Sequence, residues 1–87
     1  MLKITRAANG EVVIRLSGRM GAENVADVKL SLESEVDGRR ILLDLRDLTL
    51  VDRDAVSFLA DCETDRVQII SCPAYIREWI VRERAAR

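Results

Sequence analysis

The sequence predicts an α/β domain: a four-stranded mixed sheet, opened by an N-terminal hairpin and continued by parallel crossovers, packed with three helices. Three observations carry that prediction. Residues 2–16 alternate in polarity about an Asn-Gly turn. The segment from Ala22 to Val36 repeats its apolar residues at helical spacing. A run of consecutive aliphatics, Ile41-Leu42-Leu43, then precedes a second helical stretch, as a parallel crossover requires.

In the hairpin, Leu2 and Ile4 share one face of the first strand, and Val12, Ile14 and Leu16 share one face of the second. Gly18 and Gly21 are expected to bracket a loop. Val25, Val28, Leu32 and Val36 fall within about 80° of arc on a helical wheel, so the first helix has a narrow apolar stripe. Gly38 follows as a C-cap. Leu30 lies off the stripe. The strand from Arg39 to Leu45 reads as central and covered on both faces, because three aliphatics in a row leave neither face polar. A connection through Asp47 to Val51 leads into the second helix, Asp52 to about Glu63. Val67 to Ile70 is the fourth strand. Pro73 opens the third helix, where a missing N–H costs nothing, with Ile76, Trp79 and Ile80 as its buried stripe and Tyr75 packing beside them. The order is β-β-α-β-α-β-α.

At 87 residues, 48% apolar and 33% charged, the chain is expected to be one globular domain spanning residues 1–87. With 14 Lys and Arg against 15 Asp and Glu, its net charge of -1 gives no electrostatic reason to bind nucleic acid. The arginines between Arg77 and Arg87 read as a solvated helix end. The longest apolar run is three residues, so no direct membrane insertion is expected, and no signal pattern opens the chain. Cys62 and Cys72 match no zinc-ligand spacing and read as small buried hydrophobes in a reducing cytoplasm.

Catalytic chemistry has little to work with. There is no histidine, and no glycine-rich phosphate loop follows a strand. Asp44, Asp47, Asp52 and Asp54 alternate with Arg46 and Arg53, a pattern read as solvated ion pairs rather than a metal site. The expectation is therefore no enzyme, no cofactor and no metal. The second helix carries the clearest feature. Asp52 is placed as its N-cap, and Asp54 sits in the first turn, where the helix dipole favours an anion. Ala55, Val56, Phe58, Leu59 and Cys62 form the buried side. Arg53, Asp54, Ser57 and Asp61 lie on the other, within about 100° of arc. On the residues alone, that polar side is a solvated helix face.

The stretch from Ile41 to Leu59, Ile-Leu-Leu-Asp-Leu-Arg-Asp-Leu-Thr-Leu-Val-Asp-Arg-Asp-Ala-Val-Ser-Phe-Leu, resembles the signature of STAS domains, the family of sulphate transporters and anti-sigma factor antagonists. The family pattern is a buried strand ending in Asp or Asn-Leu, a short loop with an apolar pair, then Asp-Ser-Ser-Gly opening a helix. The order of the flanking elements agrees over nearly the whole chain. Position by position, Asp52 matches the family aspartate, Arg53 the first serine, Asp54 the second serine and Ala55 the glycine. In regulatory members the second serine is phosphorylated by an anti-sigma factor that is also a kinase. Here it is Asp54, which carries about one negative charge where a phosphoserine carries about 1.5 to 2.

The resemblance thus implies a cytoplasmic, bacterial-type regulator of signalling or transcription, monomeric or weakly dimeric. Its protein partner, an anti-sigma factor or similar kinase, would read Asp52, Arg53, Asp54, Ser57 and Asp61. No phosphorylation is expected at Asp54. Ser57 is a weak phosphoacceptor candidate, because Asp54 and Asp61 would repel the new charge. The alternative is an accessory subunit gripping the ATPase of a membrane transport system, with Leu30 and the basic C-terminal residues on the docking surface.

Overall fold

The computed structural model describes residues 1–35 and 39–86. The strands are β1 (Leu2–Asn9), β2 (Glu11–Met20), β3 (Ile41–Asp44), β4 (Leu48–Val51) and β5 (Val67–Ile70). The helices are α1 (Val25–Glu33), preceded by a 3-10 turn at Ala22–Asn24, then α2 (Arg53–Cys62) and α3 (Ala74–Ala85). The α/β class stands, with five strands in place of four. Val36 and Gly38, expected to end the first helical stripe and cap it, lie outside the described residues.

β1 and β2 form the expected antiparallel hairpin, with partners from Leu2↔Gly18 to Asn9↔Glu11. The remaining pairings are parallel. β3 lies beside residues Val12–Arg15 of β2, and β5 lies beside β3. The additional strand, β4, pairs with Gly18–Met20 of the same β2. Since β1 occupies the other side of β2, β4 continues the path of β3 after a turn at Arg46–Asp47.

Gly18, expected in a loop, is therefore inside β2. The register shifts between Gly18 and Arg19, and Gly18 holds a left-handed φ of 95°. A glycine bulge of this kind lets one strand change partners without ending. The Gly18 N–H donates to the Asp47 carbonyl at 3.0 Å, and its carbonyl accepts the Thr49 hydroxyl at 2.8 Å.

All three helices cover one face of the sheet. Val12, Ile14 and Leu16 of β2, Ile41 and Leu43 of β3 and Ile69 of β5 join Val28, Val56, Leu59, Ile76 and Ile80 in one buried cluster. Trp79 and Phe58 pack against it as partly buried side chains. The other face carries no helix among the described residues. Leu42, expected to be covered, is only half-buried there. Asp44, expected to be solvated, is 3% exposed. The Arg15 guanidinium lies across it at 3.2 Å, the two being register partners, and its second oxygen accepts the Arg46 N–H at 2.9 Å. Losing Arg15 would leave a buried charge without its counter-ion, a costly change.

The C-terminal arginines are only partly the solvated set expected. Arg77 and Arg84 clasp Glu63 at 3.1 and 2.8 Å, and Arg84 also donates to the Ala60 carbonyl, which draws α3 onto the end of α2. Arg82 pairs with Glu78 on the surface. Leu30 is 64% exposed, off the α1 stripe as expected.

A Cβ at Gly18 would stand 2.5 Å from the Met1 carbonyl oxygen, on a backbone conformation that side chains avoid. Gly18→Ala is expected to lower stability by about 1–3 kcal/mol in urea melts. An unchanged midpoint would mean that the bulge is not held in this form.

Candidate functional site

The parallel strands β2 and β4 end side by side at Met20 and Val51, and the chain then turns into the 3-10 segment and into α2. One side chain ties these departures together. Asp52 is extended at φ -102°, ψ 179°, which aims its carboxylate back over the first turn of α2. One oxygen accepts the Ala55 N–H at 2.9 Å, as an N-cap does. The other accepts the Ala22 N–H at 3.0 Å, from the segment leaving β2. These two backbone bonds, that from Ala55 first, hold the Asp52 carboxyl below its ordinary value of 3.8. Gly21 leaves room for this approach, since a Cβ there would lie 3.1 Å from the Asp52 oxygen and 2.7 Å from Glu23.

Beyond the cap, Arg53, Asp54 and Asp61 are exposed and Ser57 is half-buried. Ala55, Val56 and Leu59 are fully buried against the sheet. Ala60, absent from the expected apolar side, is buried as well, because α3 packs over that flank. Phe58 and Cys62 are partly buried. The outward residues are therefore those that the helical wheel grouped, with one distinction. Asp52 is directed towards Ala22 and holds structure, while Asp54 projects from the first turn. Arg53 reaches Glu83 of α3 only loosely, at 3.9 Å.

Beside Asp52 lies a shallow depression of about 370 Å³, walled by Arg19, Glu23, Leu50 and Asp52. Leu50 is 53% exposed. Of these residues, Asp52 is expected from the sequence and Arg19, Glu23 and Leu50 are not, because Asp47 to Val51 reads there as a connection. Leu48 and Leu50, two apart, were the available sign of a strand, and the structure buries Leu48 while exposing Leu50. Tyr75, read as packing, is 48% exposed and donates its hydroxyl to the Thr49 carbonyl.

Neither cysteine is placed as a nucleophile. Burial pushes the Cys62 thiol up to about 12, and burial also raises that of Cys72. Among the described residues, no three His, Cys, Asp or Glu side chains gather as a metal site would. No helix among them is long and apolar enough to cross a membrane.

The whole arrangement is similar to that of a solved protein. A structure of an uncharacterised protein of the DUF3478 family with a SpoIIAA-like fold, from Shewanella loihica PV-4, aligns with TM-score 0.57 at 21% identity. The match covers 93% of this chain and 74% of that one. The chain has a SpoIIAA-like fold. STAS domains share that fold, so the expected architecture stands. No family model matches the chain, and no curated protein does.

Asp52 makes the site sensitive to acid. Its folded value lies below the ordinary one, so its contribution is complete above about pH 4 and is lost as pH falls through the folded value. Asp52→Asn removes that titration. Urea melts from neutral pH down to about 2 should show a shallower acid loss of stability for the variant than for the wild type. Equal slopes would mean that the carboxylate is not held by these bonds.

Proposed function

We propose that this chain is a non-enzymatic regulatory module of the anti-sigma-factor-antagonist kind, which binds a protein partner through the polar face of α2. The observation that carries the reading is the placement of Asp54. It stands exposed in the first turn of a helix capped by Asp52, at the position that corresponds in the STAS resemblance to the phosphorylated serine.

The physical role of each residue follows from its position. Asp54 supplies a fixed negative charge near the positive end of the helix dipole, where it costs little to hold. Arg53 and Asp61 flank it with exposed charges of opposite sign, which set orientation and encounter rate more than affinity. The buried side of α2 fixes this face on the rigid sheet, so a partner meets a surface that needs little ordering. A regulator with a permanent charge here is set in one state rather than switched by a kinase. The partner would be a soluble, ATP-binding anti-sigma factor or similar kinase, in the cytoplasm.

The test is affinity capture from the native lysate with wild-type and Asp54→Ala baits, compared by quantitative mass spectrometry. Capture of a soluble ATP-binding regulator should change several-fold between the two. Equal capture of a transporter ATPase or of membrane subunits by both baits would overturn the reading and favour an accessory subunit that docks through another surface.

A further inference from the structure

The face of the sheet turned away from the helices holds a depression of about 410 Å³. Leu2 and Ile4 of β1 and Val12, Ile14 and Leu16 of β2 pack into the core, so the odd-numbered residues of both strands line the open face. The register sets them in three rows: Lys3 with Ser17, Thr5 with Arg15, and Ala7 with Val13. The turn after β3 adds Asp47 to the first row. The Gly18 N–H donates to the Asp47 carbonyl at 3.0 Å, which places that turn on the side of β2 away from β1.

The first row is charged at both ends. Lys3 is positive on β1, Asp47 is negative beyond β2, and half-buried Ser17 stands between them. Two strand spacings, about 10 Å, separate the two backbones. Among the described residues, no side chain pairs with either charge. A simple anion held by Lys3 would meet Asp47, and a simple cation held by Asp47 would meet Lys3. A ligand with one charge of each sign is matched at both ends. The second row holds the Arg15 guanidinium, fixed by hydrogen bonds to Asp44 at 3.3 and 3.2 Å. The third row, Ala7 and Val13, is apolar. A pinned planar cation followed by apolar side chains suits an aromatic ring, which packs on both.

We propose that this depression binds a free aromatic α-amino acid. Its carboxylate meets Lys3 and the Ser17 hydroxyl, its ammonium meets Asp47, and its ring runs along Arg15 towards Ala7 and Val13. A free amino acid carries both charges on one carbon, so both fall in the first row and the other two rows are left to the side chain. In a longer peptide the terminal charges lie far apart and cannot share one row. The volume is in the range of small-molecule sites, about 300–1,000 Å³. The site lies on the face of the sheet opposite α2, so it does not rest on the partner reading.

The test is an NMR titration of the whole chain, read from its amide shifts. The probes are L-phenylalanine, hydrocinnamate (the same molecule without its ammonium), phenethylamine (without its carboxylate) and L-alanine (without the ring). L-phenylalanine should shift the amides of β1 and β2 around Lys3, Arg15 and Ser17. Hydrocinnamate and phenethylamine should each bind roughly tenfold more weakly, since each lacks one charged hydrogen-bonding group. L-alanine should bind several-fold more weakly. Lys3→Gln should weaken L-phenylalanine roughly tenfold without weakening phenethylamine, and Asp47→Asn should do the same without weakening hydrocinnamate. Both positions are exposed, and the same spectra report whether each variant folds. No shift with L-phenylalanine up to its solubility limit would overturn the proposal. So would shifts centred elsewhere, hydrocinnamate or phenethylamine binding as tightly as L-phenylalanine, or folded variants that keep the wild-type affinities.

Discussion

The Asp52 carboxylate is the point on which the geometry of the site depends. The sheet ends where β2 and β4 part, and beyond that line the backbone lacks a strand partner. Two departing segments present amide N–H groups there, Ala22 after β2 and Ala55 in the first turn of α2, and one side chain accepts both. An unsatisfied donor at a helix start costs stability, so a shared acceptor fixes two segments with one residue. The exposed position of Asp54 and the depression beside Leu50 follow from that fixed start of α2.

The sheet supports this arrangement from one side. Its covered face is a continuous aliphatic layer that buries Val56, Leu59, Ile76 and Ile80 of the two longer helices. Its other face carries the Arg15–Asp44 pair and half-buried Leu42. The start of α2 lies at the carboxyl ends of the parallel strands, where α/β sheets usually place their binding sites.

Much of this was legible in the sequence because it is written in local periods. The hairpin, β5 and the buried side of α2 follow directly from alternation or helical spacing, and Asp52 was recognisable as a cap from its place before an apolar period. What was not legible depends on partners distant in the chain. β4 exists because a bulge at Gly18 lets β2 change neighbours, and Leu48-Thr49-Leu50-Val51 alone does not announce that pairing. Asp44 is buried because Arg15, 29 residues earlier, is its register partner. Three aliphatics in a row suggested a doubly covered strand, yet Leu42 faces the open side. The second role of Asp52, holding Ala22, likewise required the fold.

The most direct test of this account is amide hydrogen exchange by NMR on the wild type and Asp52→Ala. If one carboxylate holds both segments, the amides of Ala22 and Ala55 should lose protection together in the variant, while those of Ile14 and Leu43 in the sheet keep theirs. Loss at Ala55 with Ala22 unchanged would show that Asp52 is an ordinary helix cap, and that something other than this shared carboxylate holds the segment after β2 against α2.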